Sequence, residues 1–176
     1  MGEGDAAGGW PAALVFDASV LIDLCDGDRG LLALIAARIG PAVVPTPILH
    51  EVDALDGPDC QDLGLQLLEP TFGQMSEAAN GGGALSFYDW LCLIVARDSG
   101  WTCVTNDGAL LRTCREQGVS TMRGLRPVLM VVDVGEIDHR RALAFVRVVR
   151  QANPYINAEV VSAFVRELRI VSRKNR

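Results

Sequence analysis

The chain has 176 residues, of which 49% are hydrophobic and 22% charged, and its formal net charge at pH 7 is −6. This length fits one domain whose core is large enough to fold without disulfides or a structural metal. No apolar run approaches the ~18–20 residues that a membrane-spanning helix needs, so we expect no membrane partner. The five cysteines form no CxxC pair, which disfavours a disulfide framework and a zinc site.

The first ten residues, MGEGDAAGGW, contain no positive charge and no apolar core of the length that a signal peptide requires. We therefore expect residues 1–12 to be a flexible N-terminus and the protein to be cytoplasmic.

Short apolar segments alternate with helical patterns along the chain. Residues 13–16 form an unbroken apolar run, as in a strand that is buried on both faces. Further strands are predicted at residues 42–44, 65–68, 101–104 and 119–122. Helices are predicted after Asp17, at residues 31–39, from Thr46 as N-cap, at 87–99, 108–117, 125–135 and 140–153, and after Asn157.

This alternation predicts an α/β fold with three α/β/α layers and a mostly parallel, roughly five-stranded sheet. We assign residues 13–123 to this α/β domain and residues 124–176 to a C-terminal helical extension that packs on it. Residues 57–64 are expected to be a loop. The glycine-rich residues 80–83 are expected to be a linker, with a mobile flap as the alternative.

Four carboxylates fall at the ends of these elements. Asp17 directly follows the first strand and Asp107 follows the strand at residues 101–104, while Asp89 and Glu51 lie near the starts of predicted helices. In open parallel sheets, ligands bind beyond the carboxyl ends of the strands. Oxygen-only ligation favours the hard ions Mg²⁺ and Mn²⁺. The sequence therefore predicts a site for one of these ions at this edge of the sheet.

The order and spacing of four motifs, FDAS, PTPILHEVDAL, LSFYDWLCLIVA and VTNDGALL, resemble the PIN-domain ribonucleases, most closely the VapC-type toxins of toxin–antitoxin pairs. The similarity covers roughly residues 13–119. It implies a PIN-like fold and a metal-dependent endoribonuclease in which Asp17, Glu51, Asp89 and Asp107 are catalytic and bind Mg²⁺ or Mn²⁺. It also implies an RNA substrate, products with 5′-phosphate and 3′-hydroxyl ends, a cognate antitoxin and a homodimer.

All four acids also have purely structural interpretations, and for Glu51 it is a solvated carboxylate on a helix. Asp17 is an ordinary residue type for a turn, followed by Ser19 as a possible helix N-cap, and Asp107 suits the N-cap of the next helix. Ser86 and Asp89 have the spacing of a capping box, a role that competes with a site role for Asp89.

Neighbouring polar residues have secondary roles in this interpretation. Ser19, Thr105 and Asn106 are predicted to support the site through hydrogen bonds. The remaining acids near the motifs are expected to lie at the surface, namely Asp23, Asp26, Asp28 and Asp53.

The C-terminal segment is basic whereas the rest of the chain is acidic. Residues 139–176 carry nine Arg or Lys against two Glu, a balance of +7, and residues 1–138 carry seven Arg against twenty acids, a balance of −13. Arg166, Arg169 and Arg173 repeat along one face of the last predicted helix. We predict that this face points outward and binds RNA or a protein partner.

The chain departs from the family pattern in two places, because Trp90 follows Asp89 where small residues are common and because the segment beyond Met122 is longer than in the minimal toxins. The alternative function is a non-catalytic RNA- or protein-binding module with a PIN-like fold. A haloacid-dehalogenase-like phosphatase is disfavoured, since Ser19 occupies the position where that chemistry needs a second Asp. No GxSxG motif supports a serine hydrolase.

Overall fold

The computed structural model describes residues 10–174, with side chains to residue 172, so most of the predicted flexible segment 1–12 lies outside it. Within these residues, five strands form one sheet: Leu14–Phe16 (β1), Ala42–Pro45 (β2), Gln66–Leu68 (β3), Thr102–Val104 (β4) and Thr121–Met122 (β5). Their order is β3-β2-β1-β4-β5 and every pairing is parallel. The predicted parallel sheet of five strands is confirmed.

The helices of the described residues are Ala18–Asp28 (α1), Gly30–Arg38 (α2), Gly57–Asp62 (α3), Phe72–Ala79 (α4), Phe87–Ser99 (α5), Gly108–Glu116 (α6), Arg126–Asp133 (α7), His139–Ala152 (α8) and Ala158–Lys174 (α9). Helix α5 packs across β1, β2 and β4 and contacts α4 and α6. Helices α1, α2, α7, α8 and α9 contact one another and form the other layer. The three-layer α/β/α architecture is therefore confirmed.

Strand β1 lies at the centre of this sandwich. Leu14, Val15 and Phe16 are each 0% exposed, because the strand has a hydrogen-bonded neighbour on both edges and a helical layer on both faces. Asp17 follows directly, so the strand delivers a carboxylate to the middle of the sheet's carboxyl edge.

The C-terminal helices complete the second layer. Helix α8 packs on α1, and α9 packs on α7 and α8. The predicted apolar face of α9 points inward, since Phe164 and Leu168 are buried, and Asn157 accepts hydrogen bonds from the first backbone N–H groups of α9. The boundary between residues 123 and 124 stays a prediction.

Two predicted elements differ in the structure, and one helix was not predicted. The segment predicted as a loop at residues 57–64 contains α3, which begins with a capping box between Asp56 and Asp59. Helix α4 was not predicted, and it also begins with a capping box, between Thr71 and Gln74. Both helices bury little apolar surface, so the hydrogen bonds of their capping boxes are the main reason that they form.

The helix predicted from Thr46 is a short 3₁₀ helix, Thr46–Glu51, and its N-cap is Pro45. Thr46 does not cap it with its side chain, because Thr46 Oγ1 donates to Glu69 Oε2 at 2.7 Å. This segment places Glu51 at its last position.

The glycine-rich linker is held against α5. Trp90 Nε1 donates to the carbonyl oxygen of Gly82 at 3.2 Å, and a Cβ at Gly81 would overlap the indole ring. The large residue after Asp89, which departs from the family pattern, therefore packs under this linker. No helix among residues 10–174 combines the length and apolar character needed to cross a membrane.

Candidate functional site

A pocket of about 360 Å³ opens at the carboxyl ends of β1, β2 and β4. All four predicted site acids line it: Asp17, Glu51, Asp89 and Asp107. They come from four separate segments of the chain, and the parallel sheet brings these segments to one edge. The remaining lining residues are Ala18, Ser19, Ile22, Ile48, Ser86 and Tyr88.

Asp17 is the buried acid at the base of this pocket, with 4% exposure. It is the N-cap of α1 and accepts a hydrogen bond from Val20 N at 2.9 Å. The Ser19 hydroxyl donates to the carboxylate at 3.0 Å, and Thr105 Oγ1 donates to Oδ2. Ser19 is therefore not the helix N-cap, and its hydroxyl and that of Thr105 both donate to Asp17.

The environment of Asp17 disfavours its charged form. Burial raises the pKa of Asp17 from 3.8 to about 6, although hydrogen bonds from Thr105, Val20 and Ser19 act in the opposite direction. The negative charge of Asp89 raises this pKa further. A cation in the pocket would reverse both effects.

Asp89 combines a capping role with its place in the pocket. Ser86 N donates to Asp89 Oδ2 at 2.8 Å and Asp89 N donates to Ser86 Oγ at 3.1 Å, which forms a capping box at the start of α5. The cap uses one carboxylate oxygen, and Oδ1 has no hydrogen-bond partner in the part of the chain that the structure describes. The structural and site interpretations are thus compatible.

Asp107 is likewise a helix N-cap that lines the pocket. Leu110 N donates to Asp107 Oδ1 at 2.7 Å at the start of α6. Asp107 N donates to Thr105 Oγ1 at 3.0 Å. Because the same Thr105 hydroxyl donates to Asp17, this buried threonine connects two of the pocket acids.

Glu51 reaches the pocket from the end of the 3₁₀ helix, with an exposed side chain. Partial burial and the charge of Asp89 raise the pKa of Glu51. Like-charge repulsion thus extends from Asp17 through Asp89 to Glu51.

Asp23 is not the surface acid that the sequence predicted. It is 5% exposed on α1 and accepts hydrogen bonds from Asn106 Nδ2 at 3.3 Å and from Asn153 Nδ2 at 2.9 and 3.0 Å. Burial raises the pKa of Asp23, and the two amides oppose this. The helical spacing of Asp23 from the buried Val20 is the sequence signal that indicated an inward face.

Asn106 supports the site only indirectly. Its amide donates to Asp23, and its Oδ1 accepts from Gly124 N at 3.0 Å. It therefore fixes the loop that carries Thr105 and Asp107, and it contacts none of the four pocket acids through a hydrogen bond.

The donor chemistry of the pocket fits Mg²⁺ or Mn²⁺. Its lining residues include four carboxylates and no His or Cys, and Asp17 is buried without an ion-pair partner among the described residues. As the side chains stand, no three Asp, Glu, His or Cys residues within residues 10–174 are grouped closely enough to hold an ion. The pocket therefore fits such an ion in the type of its ligand atoms and in bringing four carboxylates to one place, although the side chains are not arranged around an ion.

The arginines predicted to form an outer face lie away from this pocket. Arg166 and Arg169 are exposed on α9 and do not line the acid pocket. The side chain of Arg173 lies outside the described residues. Their role in binding stays a prediction.

No family model matches the chain, and no curated protein matches it. Among solved structures, it is similar to a PilT N-terminus (PIN) domain protein from the hyperthermophilic archaeon Sulfolobus solfataricus P2. The two share 14% sequence identity with a TM-score of 0.49, over 68% of this chain and 92% of that chain. A similarity of this size carries no argument about activity, so the functional conclusion depends on the motifs and the pocket.

Proposed function

We propose that the protein is a metal-dependent endoribonuclease. The observation that supports this most directly is the convergence of four carboxylates, from four motifs spread over ninety-one positions from Asp17 to Asp107, on one pocket at the carboxyl edge of the sheet. A fold alone does not identify a reaction, whereas a cluster of acids without a counter-ion needs a chemical explanation. The choice of RNA as the substrate comes from the motif resemblance.

In this proposal, Asp17, Glu51, Asp89 and Asp107 hold one or two Mg²⁺ or Mn²⁺ ions. Such ions supply an activated water and charge stabilisation for in-line displacement at a phosphodiester. The chain itself contributes orientation, because Thr105 and Ser19 fix the carboxylate of Asp17 through hydrogen bonds. Ile22 and Ile48 provide apolar walls beside these acids.

The finer biological role follows from the resemblance to VapC-type toxins. We propose that the protein is the toxin of a toxin–antitoxin pair and that it acts on cytoplasmic RNA. In this role it is inhibited by a cognate antitoxin and forms a homodimer.

A non-catalytic RNA- or protein-binding module is the second candidate. Asp17, Asp89 and Asp107 each cap a helix, so each has a folding role that needs no reaction. The two candidates differ in whether charge at these positions matters beyond the cap.

Cleavage of an end-labelled mixed RNA pool tests the proposal. The pool is incubated with Mn²⁺, with Mg²⁺ or with chelator, using wild type, Asp107→Asn and the control Asp53→Asn. Asn caps helices about as well as Asp, so Asp107→Asn removes the charge while it keeps the cap, and Asp53 is an exposed acid outside the pocket.

The nuclease proposal expects metal-dependent cleavage by wild type and Asp53→Asn, with loss of cleavage in Asp107→Asn. Uncut RNA that all three proteins retard equally in a gel would instead support the binding module.

A further inference from the structure

The arginines of the acidic part of the chain are unevenly paired. Four of the seven between residues 1 and 138 form ion pairs, namely Arg29, Arg38, Arg97 and Arg126. Within the described residues, Arg112, Arg115 and Arg123 have no ion-pair partner. Unpaired guanidinium groups in a region with a balance of −13 are exceptions that call for an explanation.

Arg112 lies beside the pocket acid Asp107. It is an exposed residue of α6 whose side chain turns back towards the start of that helix. Its Nη1 lies 3.5 Å from the position that a Cβ on Gly108 would occupy. Because Gly108 directly follows Asp107, this guanidinium group lies near the start of α6, where the pocket acid Asp107 is the N-cap.

Arg123 lies next to the same loop from the other side. It is exposed and follows β5 directly. The next residue, Gly124, donates its N–H to Asn106 Oδ1 at 3.0 Å, and this contact ties the end of β5 to the loop before Asp107. The backbone on both sides of Arg123 therefore contacts the loop of residues 105–107, which leads into the helix that carries Arg112.

The opposite side of the sheet edge is acidic. Exposed Glu51 and Asp53 follow β2, and exposed Glu69 follows β3. With the strand order β3-β2-β1-β4-β5, Glu51 and Glu69 lie on the β2–β3 side of Asp17, whereas the β4–β5 side carries Arg112 and Arg123 together with the pocket acid Asp107. A polyanion at the pocket would be attracted on the β4–β5 side and repelled on the β2–β3 side.

We propose that Arg112 and Arg123 form a phosphate-binding site that holds the backbone of single-stranded RNA on the β4–β5 side of the carboxylate pocket. Arginine suits this role because its planar guanidinium group donates in a fork that matches phosphate oxygens. The identity of the polymer depends on the proposed function. The site places the main phosphate contacts at the pocket, and not on the α9 face of Arg166 and Arg169.

The test measures RNA affinity without cleavage. A fluorescently labelled random-sequence single-stranded RNA is titrated with protein in chelator at a series of KCl concentrations, and binding is followed by anisotropy. The test variant is Arg112→Gln with Arg123→Gln. The control is Arg115→Gln with Arg147→Gln, which removes the same charge from exposed positions on α6 and α8. Thermal melting of each variant verifies that it is folded.

The proposal expects the test variant to lose affinity severalfold relative to the control. The slope of log affinity against log salt should also become shallower by about 1.4, since each lost single-strand phosphate contact removes about 0.7 from it. Equal losses in the two double variants would overturn the proposal. A larger loss from Arg166→Gln with Arg169→Gln would overturn it too, and would assign RNA binding to α9.

These results separate the phosphate site from the nuclease. Selective loss of affinity in the test variant, together with a wild type that cuts no RNA with metal, would support the phosphate site and contradict the nuclease. Metal-dependent cleavage by wild type, together with equal affinities of the two double variants, would support the nuclease and contradict the phosphate site. A wild type that binds no RNA would overturn the phosphate site.

Discussion

Asn153 Nδ2 donates to both carboxylate oxygens of Asp23, at 2.9 and 3.0 Å. Asp23 lies on α1, and Asn153 is the C-cap of α8. Asp23 also accepts from Asn106, which precedes Asp107. One buried carboxylate therefore connects the loop beside the pocket with the last two helices of the chain.

This pairing predicts a stability cost for Asn153→Asp. The change removes two hydrogen bonds and brings a second carboxylate against a buried one, so we expect the free energy of unfolding to fall by about 2–4 kcal/mol. Urea denaturation at neutral pH measures it.

The matched rescue exchanges the two side chains. In Asp23→Asn with Asn153→Asp, the new amide at position 23 can donate to the new carboxylate and still accept from Asn106, so most of the lost stability should return. A double variant no more stable than Asn153→Asp would show that the pairing is not the source of the effect.

The raised pKa of Asp17 predicts how stability depends on pH in the absence of metal. The unfolded carboxyl titrates near 3.8 and the folded one near 6, so the folded protein binds this proton more tightly. The free energy of unfolding should therefore fall as pH rises from about 3 to about 7, by about 3 kcal/mol from this group. Asp17→Asn should lose this part of the pH dependence, as urea denaturation across this range in chelator would show.

Bound metal should offset the loss of stability that ionised Asp17 causes at neutral pH. Excess Mg²⁺ at neutral pH is expected to raise the melting temperature of wild type, because a cation relieves the repulsion among the buried and half-buried acids. The increase should be much smaller in Asp17→Asn. An identical increase in both proteins would argue against a metal site that includes Asp17.

Close packing of Trp90 on the glycine-rich linker predicts different effects at adjacent positions. A Cβ at Gly81 would overlap the indole ring, whereas a Cβ at Gly82 has no atom within 4 Å. Gly81→Ala should lower the free energy of unfolding by about 1–3 kcal/mol, the usual cost of overpacking, and Gly82→Ala should change it little. Comparable losses, measured by thermal or urea unfolding, would mean that Trp90 does not hold the linker.

Much of the fold could be predicted from local signals. Residues 87–99 were predicted as a helix between Ser86 and Gly100, and α5 has these limits because Ser86 caps its start and Gly100 ends it at φ +68°. The five strands were identified as short apolar runs. Helix α4 was missed because its sequence, FGQMSEAA, offers few apolar residues, with Phe72 exposed and Ala78 as its buried residue.

Asp17 and Asp107 could be predicted at the pocket because each follows a strand, whereas the prediction for Glu51 and Asp89 depends on the motif resemblance. The environment of Asp23 could not, since its partner Asn153 lies 130 positions away in the sequence. Asn106 does lie after β4, beside the pocket, as its place in the sequence indicates. Its side chain, however, donates to Asp23 and to none of the pocket acids. Long-range pairing of this kind leaves only a weak local pattern in a single sequence.

The capping box of α5 separates the two roles of a pocket acid, which are to cap a helix and to take part in chemistry. Ser86→Ala removes the hydroxyl that accepts from Asp89 N, at a cost of about 1 kcal/mol in stability. Asp89→Asn keeps an oxygen that can accept from Ser86 N but removes the negative charge. Both variants perturb the same cap, and one of them changes the charge of the pocket.

The measurement is the Mn²⁺-dependent rate of RNA cleavage by the two variants and wild type, at a temperature at which all three are folded. We expect Ser86→Ala to cleave within a fewfold of wild type and Asp89→Asn to be slower by about a hundredfold or more. Equal rates in Asp89→Asn and Ser86→Ala would rule out a role for Asp89 in cleavage, because its carboxylate would then serve the helix alone.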